Sequence, residues 1–474
     1  MSTAADNEAH AKAAIRERME STGSPEPAIR SFLRQFDKLT KGHRGLIPLK
    51  DIEQLDEIPA SSTLAQYVGA GKQALSKALM IKLNGGLGTS MGLEGAKSLL
   101  PVKDGRTFLD LVIDQVEHMR RESACRLPLL LMNSFSTDAD TLNALKQHPS
   151  LAAGQPGLPP TFVQHRVPKL RQDNFLPVAW PEDPQREWCP PGHGDIYLAL
   201  VTSGLLERLI REGFEYAFVS NTDNLGATLD LAILGYLAER HLPFLMEVTE
   251  RTEADRKGGH IARTRDGRLV LRELAQCPED EKDDFQDISH HRFFNTNNLW
   301  INLYALQLKL EENEGTINLP LIVNSKRVNP TDPDSTPVFQ LESAMGAAIE
   351  IFEGAGAVVV PRTRFSPVKT TDDLIGLWSD AYIRTPDGRV TLHPDRKGKP
   401  VVSRLDARFY GAYADFAARF PEGAPSLREC ESLTIEGDFL FGRNIRCRRR
   451  VKLVNNGPSQ QRVPDGSQPG EENS

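Results

Sequence analysis

Along the middle of the chain, short apolar runs alternate with amphipathic helical patterns, and polar, glycine-rich turns separate them. Leu79–Leu83, Pro128–Phe135, Tyr216–Ser220, Pro243–Thr249, Phe293–Leu303 and Ala357–Pro361 read as strands. Leu111, Val112, Val116 and Met119 recur at helical spacing behind Thr107–Asp110, a capping box in its aspartate form. Leu200, Leu205, Leu209 and Ile210 mark another helix. This alternation predicts an α/β domain over residues 46–385 with a mixed, mostly parallel sheet. Ligands of such folds bind outside the carboxyl ends of the strands.

The pattern differs at both ends. Residues 1–45 are polar and helix-prone, and Ile29, Phe32, Leu33 and Phe36 predict a buried face on a helical lead-in. Arg384–Pro400 is rich in Pro, Gly and charge and marks a boundary. Beyond it come apolar pulses at Leu433, Ile435, Phe439, Phe441, Ile445, Val451 and Leu453. Their spacing fits a turn or two of a parallel β-helix within a domain over 386–454. Asn455–Ser474 is polar and Gly/Pro-rich and reads as a disordered tail.

Composition narrows the class. A chain of 474 residues with 39% hydrophobic and 26% charged residues is a soluble globular protein large enough for more than one domain. Its net charge of −7 gives no electrostatic case for nucleic-acid binding. The six basic residues of Arg443–Lys452 then read as a solvated face. No uncharged apolar run approaches the roughly 18 residues of a membrane span. The N-terminus lacks the apolar core of a signal peptide. The five cysteines show neither disulfide nor zinc spacing, so the expected compartment is the cytoplasm, with reduced thiols.

Candidate chemistry centres on Leu79–Ser98, LMIKLNGGLGTSMGLEGAKS. A strand runs into a loop holding Gly85, Gly86, Gly88, Gly92 and Gly95, which closes on Lys97. Glycines let backbone N–H groups approach an anion, and the lysine adds a mobile positive charge, so the stretch predicts a phosphate cradle. It is neither a Walker loop nor a dinucleotide fingerprint, since each match fails by one residue. The plain alternative is a glycine-rich turn.

Four further stretches carry polar chemistry. Pro190-Pro-Gly-His-Gly-Asp195 feeds a helix that Asp195 is suited to cap, and His193 could donate to a phosphate. Asp223, in Ser220-Asn-Thr-Asp-Asn-Leu-Gly226, lies at a strand's carboxyl end, where a carboxylate can hold Mg²⁺; the alternative is an Asx turn. Phe294-Asn-Thr-Asn-Asn-Leu-Trp300 clusters amides, which read sugar hydroxyls well, although such a cluster also suits a strand-edge turn. Lys369 precedes a helix expected near Thr371, where a cation opposes the helix macrodipole unless an anion intervenes. Arg362 and Arg364 could assist it or pair with Asp or Glu.

The glycine loop, with G-A-K-S where the family usually has G-P-K-S, resembles the signature of the eukaryotic-type UTP–glucose-1-phosphate uridylyltransferases, or UDP-glucose pyrophosphorylases. P-P-G-H-G-D, S-N-T-D-N-L-G-A-T, F-N-T-N-N and R-F-S-P-V-K-T-T resemble its further motifs, in family order from about Gly71 to Asp380. The resemblance implies a Rossmann-like nucleotidyltransferase domain of GT-A-like fold followed by a small left-handed parallel β-helix, which in the family can carry self-association. It implies Mg²⁺-dependent, reversible transfer of a uridylyl group from UTP to glucose 1-phosphate. Lys97 and Lys369 would be catalytic. Leu83, Asn84, Gly85, Gly86, Lys97, Gln164, Gly192, Asp223 and Lys369 would bind the nucleotide. Gln164 and Gly192 would read uracil. Gly85, Gly86, His193, Asn221, Thr222, Asp223 and Asn297 would hold the sugar phosphate, and Asp223 the metal. Other readings are a relative acting on galactose or N-acetylglucosamine 1-phosphate, a non-catalytic sugar-nucleotide binder and a Rossmann oxidoreductase. The intact Lys97, Asp223 and Lys369 argue against the second, and the glycine spacing against the third.

Overall fold

The strand Ala78–Leu83 lies at the centre of a ten-stranded sheet, with all but its last residue buried. The computed structural model describes residues 4–470 except 43, 44, 56, 94 and 331. Ala78–Leu83 pairs in parallel with Tyr216–Asn221 on one side and Leu129–Asn133 on the other; Thr161–Val163 continues the parallel array. These strands are near-continuous apolar runs because both faces are covered. Met80, Phe218 and Leu131 face one core with the helix Phe108–Ser123, whereas Leu79, Ile81 and Ala217 face another with Ile196–Thr202 and Leu205–Arg211. Thr107 and Asp110 form the predicted capping box. The single helix expected around Leu200–Ile210 is two, broken at Gly204 with φ 71°.

The sheet is mixed but not mostly parallel. The ten-residue strand Phe293–Asn302 runs antiparallel to both Tyr216–Asn221 and Phe244–Glu250. The ribbon His260–Thr264 and Leu269–Arg272 extends that half, also antiparallel. An apolar run reveals burial but not direction, so sequence alone could not show this reversal.

The helices Ala4–Glu20 and Glu26–Thr40 lead in, and Ile29, Phe32 and Phe36 pack with Val167, Trp188 and Leu341. At the other end, Val402–Leu405, Ser426–Glu436 and Arg446–Val454 form a parallel ladder. The tail expected to be disordered is ordered to Gly470 instead. Gln461–Val463 pairs in parallel with Phe439–Phe441, and Val463 is buried. Asn455 donates to the carbonyls of Asp438 and Ser459. Backbone pairing with one inward side chain orders a segment whose composition is polar.

The helix Thr371–Trp378 ties the C-terminal elements to the main sheet. Thr371 Oγ1 donates to the Tyr410 carbonyl (2.7 Å), and Asp372 accepts from the Leu405 N–H (2.8 Å). The Trp378 ring packs edge-on against Tyr413 and Phe416, and its Nε1 donates to the Pro101 carbonyl (3.0 Å). Among the described residues no helix is long and apolar enough to cross a membrane.

Candidate active site

The carboxyl ends of the central parallel strands open into a cavity of about 290 Å³. It is lined by Leu83, Asn84, Gly85, Gly86, Lys97, Gln164, Gly192, His193, Asn221, Thr222 and Asp223, with Ser98, Met132 and Pro190. Sequence-distant candidates thus converge because Leu83 and Asn221 end neighbouring strands in register. Asn297 and Lys369 are not among the lining residues.

The glycine loop folds back on itself. Leu87 bridges Ala96, and the Lys97 N–H donates to the Gly86 carbonyl (3.0 Å). This closure delivers Lys97 Nζ to Asp223 Oδ2 (2.5 Å) and to the Val368 carbonyl. Both side chains keep some solvent access, 16% for Lys97 and 20% for Asp223. Gly85 lets Gln164 approach the loop backbone, since a Cβ there would lie 2.6 Å from Gln164 Nε2 and push that amide aside.

Two predicted ligands also have structural duties. Asn84 is 3% exposed, and its Nδ2 donates to Asn133 Oδ1 (2.7 Å) and Thr141 Oγ1 (2.9 Å). Thr222 donates from N–H (3.1 Å) and Oγ1 (2.8 Å) to the Leu83 carbonyl, clasping the two strand ends.

His193 stands in a fixed tautomer. The Met345 N–H donates to its Nδ1 (2.9 Å), so the neutral ring carries its proton on Nε2. Burial pulls the imidazolium down to about 4, keeping the ring neutral near pH 7. Gly192 has φ 80°, and a Cβ there would run into the Ser343 carbonyl oxygen. Asp195 does not cap the following helix as expected. Its carboxylate instead accepts from His165 N–H (2.6 Å) and Nδ1 (2.9 Å).

Asn297 sits in a β-bulge with φ 57°, a conformation asparagine tolerates better than most residues. Reciprocal bonds hold it to Asn295: its N–H donates to Asn295 Oδ1, and Asn295 Nδ2 donates to Asn297 Oδ1, each at 2.9 Å. Lys369 is exposed, beside the site. Its carbonyl accepts from Ser90 Oγ of the glycine loop (3.0 Å), and its neighbour Val368 holds Lys97. Asp373 completes a capping box with Thr370 and also accepts the Lys369 N–H (2.7 Å). The helix start is therefore already compensated by carboxylate, and the macrodipole argument for an anion at Lys369 loses its force.

Neither Arg362 nor Arg364 is spare. Arg362 forms a two-pronged pair with Asp255 (2.7 and 2.9 Å), and Arg364 with the fully buried Glu247 (2.9 and 2.6 Å). Lys82 was missed by sequence reasoning, although a lysine inside an apolar strand was its cue. It is fully buried, and its Nζ donates to Ser220 Oγ (2.7 Å) and the Ala227 carbonyl (2.8 Å), stapling both ends of the loop that carries Asp223. Burial, aided by Arg364, pulls its ammonium down to about 7, against the pull of Asp223 and Glu247.

Among the described residues no cluster of three or more His, Cys, Asp or Glu could hold a metal by itself. The carboxylate of Asp223, paired with Lys97 in a cavity beside the glycine loop, nevertheless fits Mg²⁺ as a single protein ligand. That ion is often bound through one or two protein carboxylates, with waters and substrate phosphates completing its shell.

Known proteins resemble this chain in sequence and fold. The sequence model of the family described as UTP--glucose-1-phosphate uridylyltransferase matches residues 29–448. The protein of that name from Saccharomyces cerevisiae is 43% identical over 394 residues, 83% of this chain and 77% of its own length. Its counterpart from Solanum tuberosum is 38% identical over 423 residues, 89% of this chain and 84% of its own. A crystal structure of UDP-glucose phosphorylase from Trypanosoma brucei superposes with a TM-score of 0.88 at 46% identity, covering 98% of this chain and 99% of that one. A mutant UDP-glucose pyrophosphorylase from Leishmania major, in complex with UDP-glucose, gives a TM-score of 0.90 at 43% identity over 97% and 98% of the two chains. With sequence and fold similar over nearly its whole length, the chain belongs to the UTP–glucose-1-phosphate uridylyltransferase family.

Proposed function

We propose that this chain catalyses reversible uridylyl transfer from UTP to glucose 1-phosphate, giving UDP-glucose and pyrophosphate. The observation that carries the reading is the meeting of Lys97, Asp223 and the Val368–Lys369 segment beside a glycine loop at the strand ends. An oxygen of the sugar phosphate attacks the α-phosphorus of UTP in line, and the bond to pyrophosphate breaks. Both reactants are anions, and two like unit charges 4 Å apart repel by about 4 kcal/mol at an effective dielectric of 20. Positioning and charge neutralisation therefore supply the catalysis, with no covalent nucleophile.

Lys97 and Lys369 neutralise the phosphates. The backbone from Leu83 to Gly86 cradles the nucleotide, and the Asn84 amide nitrogen is spent on Asn133 and Thr141. Gln164 and Gly192 read uracil. His193 donates from Nε2 to the sugar phosphate, and Asn221, Thr222 and Asn297 hold the hexose phosphate. Asp223 would hold Mg²⁺, which supplies further charge neutralisation when bound.

The finer architecture follows the same reading. Residues 46–385 form a Rossmann-like nucleotidyltransferase domain behind the N-terminal helices. The C-terminal parallel ladders are a short left-handed β-helix, a surface for self-association. A cytoplasmic location accords with five free cysteines, four of them buried. The reading includes no nucleic-acid partner, which accords with the pairing of Arg443, Arg448, Arg450 and Lys452 with Glu422, Glu429, Glu431 and Glu436.

The test is pyrophosphate release by the full chain across four nucleoside triphosphates and the 1-phosphates of glucose, galactose and N-acetylglucosamine, with and without Mg²⁺. UTP with glucose 1-phosphate should dominate and require the metal. A higher kcat/KM with another sugar would overturn the substrate assignment. No turnover with any pair would leave a sugar-nucleotide binder.

A further inference from the structure

Two segments far apart in the chain meet at the Gln164–Gly192 part of the cavity. Gln164 follows the strand Thr161–Val163; Gly192 and His193 precede the helix Ile196–Thr202. The side chains that join them are one residue beyond Gln164 and three beyond Gly192. Asp195 accepts two hydrogen bonds from His165, one from the backbone N–H (2.6 Å) and one from Nδ1 (2.9 Å). On the far side of the ring, His165 Nε2 meets Thr202 Oγ1 on the helix (2.9 Å). The chain Asp195–His165–Thr202 is nearly dry, with side-chain exposures of 4% for Asp195 and 10% for His165.

Asp195 closes the 3-10 turn His193–Asp195 that runs straight into the helix, and its backbone is itself helical (φ −63°, ψ −14°). A capping aspartate has extended backbone, so the Asp195 carboxylate is free of that duty and turns to His165.

We propose that the His165–Asp195 pair is a positioning brace that sets nucleobase specificity, resting on the reading that Gln164 and Gly192 contact the base. Uracil and cytosine differ by reversal of donor and acceptor along one edge. A site built to hydrogen-bond one edge rejects the other because its own polar groups are left unpaired. That rejection needs the two reading groups held within about 0.5 Å of their places. The brace fixes that separation. Lys97 and Asp223 sit on other elements, and His193, although on the braced segment, is held separately by the Met345 N–H (2.9 Å), so slack in the brace is felt first at the base.

The experiment compares kcat/KM for UTP and for CTP at saturating glucose 1-phosphate. Asp195→Asn keeps the volume but replaces one acceptor with a donor, and His165→Leu removes the ring bonds. Both should lower the UTP:CTP ratio by about tenfold or more, the factor of one well-placed hydrogen bond. KM for glucose 1-phosphate should stay within about twofold. His165→Asn, whose amide can reach toward Asp195 from near the Nδ1 position, should retain most of the discrimination. The ratio does not depend on how much enzyme is folded, so a merely structural role would leave it unchanged. Gln164→Leu separates the two layers of the argument. If it collapses the ratio while Asp195→Asn and His165→Leu do not, the brace is overturned and base reading stands. If none of the three moves the ratio, both are overturned.

Discussion

Glu247→Gln should be far more damaging than its isosteric character suggests. Glu247 is 0% exposed and accepts four hydrogen bonds. Oε1 takes Trp300 Nε1 (2.9 Å) and Arg364 Nη2 (2.6 Å); Oε2 takes Arg364 Nε (2.9 Å) and Asn298 Nδ2 (3.0 Å). Whichever way the new amide turns, its NH₂ faces two donors, and the Arg364 guanidinium, 11% exposed, loses its counter-charge. Breaking one side of a buried pair costs about 3–5 kcal/mol, against a usual total of about 5–15 kcal/mol. The urea midpoint should fall by roughly 1 M. Activity should fall too. The Arg364 carbonyl accepts from Asn224, the neighbour of Asp223, at 3.0 Å, and Lys369 follows five residues on. Removing both charges with Glu247→Met and Arg364→Met should recover part of the stability, the remainder being lost with the unpaired Trp300 N–H. A midpoint within about 0.2 M of the parent for Glu247→Gln, measured by equilibrium unfolding, would refute this account.

Other outcomes test other links. Lys369→Ala should lower kcat at least roughly a hundredfold, as for one lost preorganised donor, with less change in KM for UTP; a rise in KM alone would make it a uniform binding residue. His193 has a folded pKa near 4, below the ordinary histidine value of about 6.5. Its contribution to stability is therefore full above about pH 6.5 and is lost as pH falls toward 4, by at most about 3 kcal/mol. Urea unfolding across that range should show a slope that His193→Gln flattens; equal slopes would dismiss the shift. Ending the chain at Val454 removes the buried Val463 and uncovers Phe439 and Phe441, so about 2 kcal/mol or more should be lost. An unchanged melting curve would show that the last strand contributes nothing.

These expectations mix what the sequence displays with what only the fold reveals. The strands Ala78–Leu83 and Tyr216–Asn221 were legible because burial on both faces writes continuous apolar runs. The glycine loop and Lys97 were legible because phosphate chemistry needs those residue types close together. The reversal at Phe293–Asn302 was not, since periodicity carries no direction. Lys82 was hidden for a related reason: its partners Ser220 and Ala227 lie 138 and 145 residues away. Asp195 was misjudged because a 3-10 turn precedes the helix and moves the true start to Gly192, leaving the Asp195 carboxylate to His165. The tail was misjudged because composition counts apolar residues, whereas a ladder needs only backbone pairing and one inward valine.

The helix Thr371–Trp378 has a consequence for observation. It begins two residues after Lys369 and ends in an indole clasped between Pro101 on the main sheet's side and Tyr413 and Phe416 on the other. Trp378 is thus a native fluorophore mounted at the joint between Lys369 and the C-terminal strands. With Trp180, Trp188 and Trp300 replaced by phenylalanine, its emission would report, without any label, each time that joint loosens. The same helix acts as a tie rod, so a load applied to the C-terminal strands is transmitted along it to Lys369.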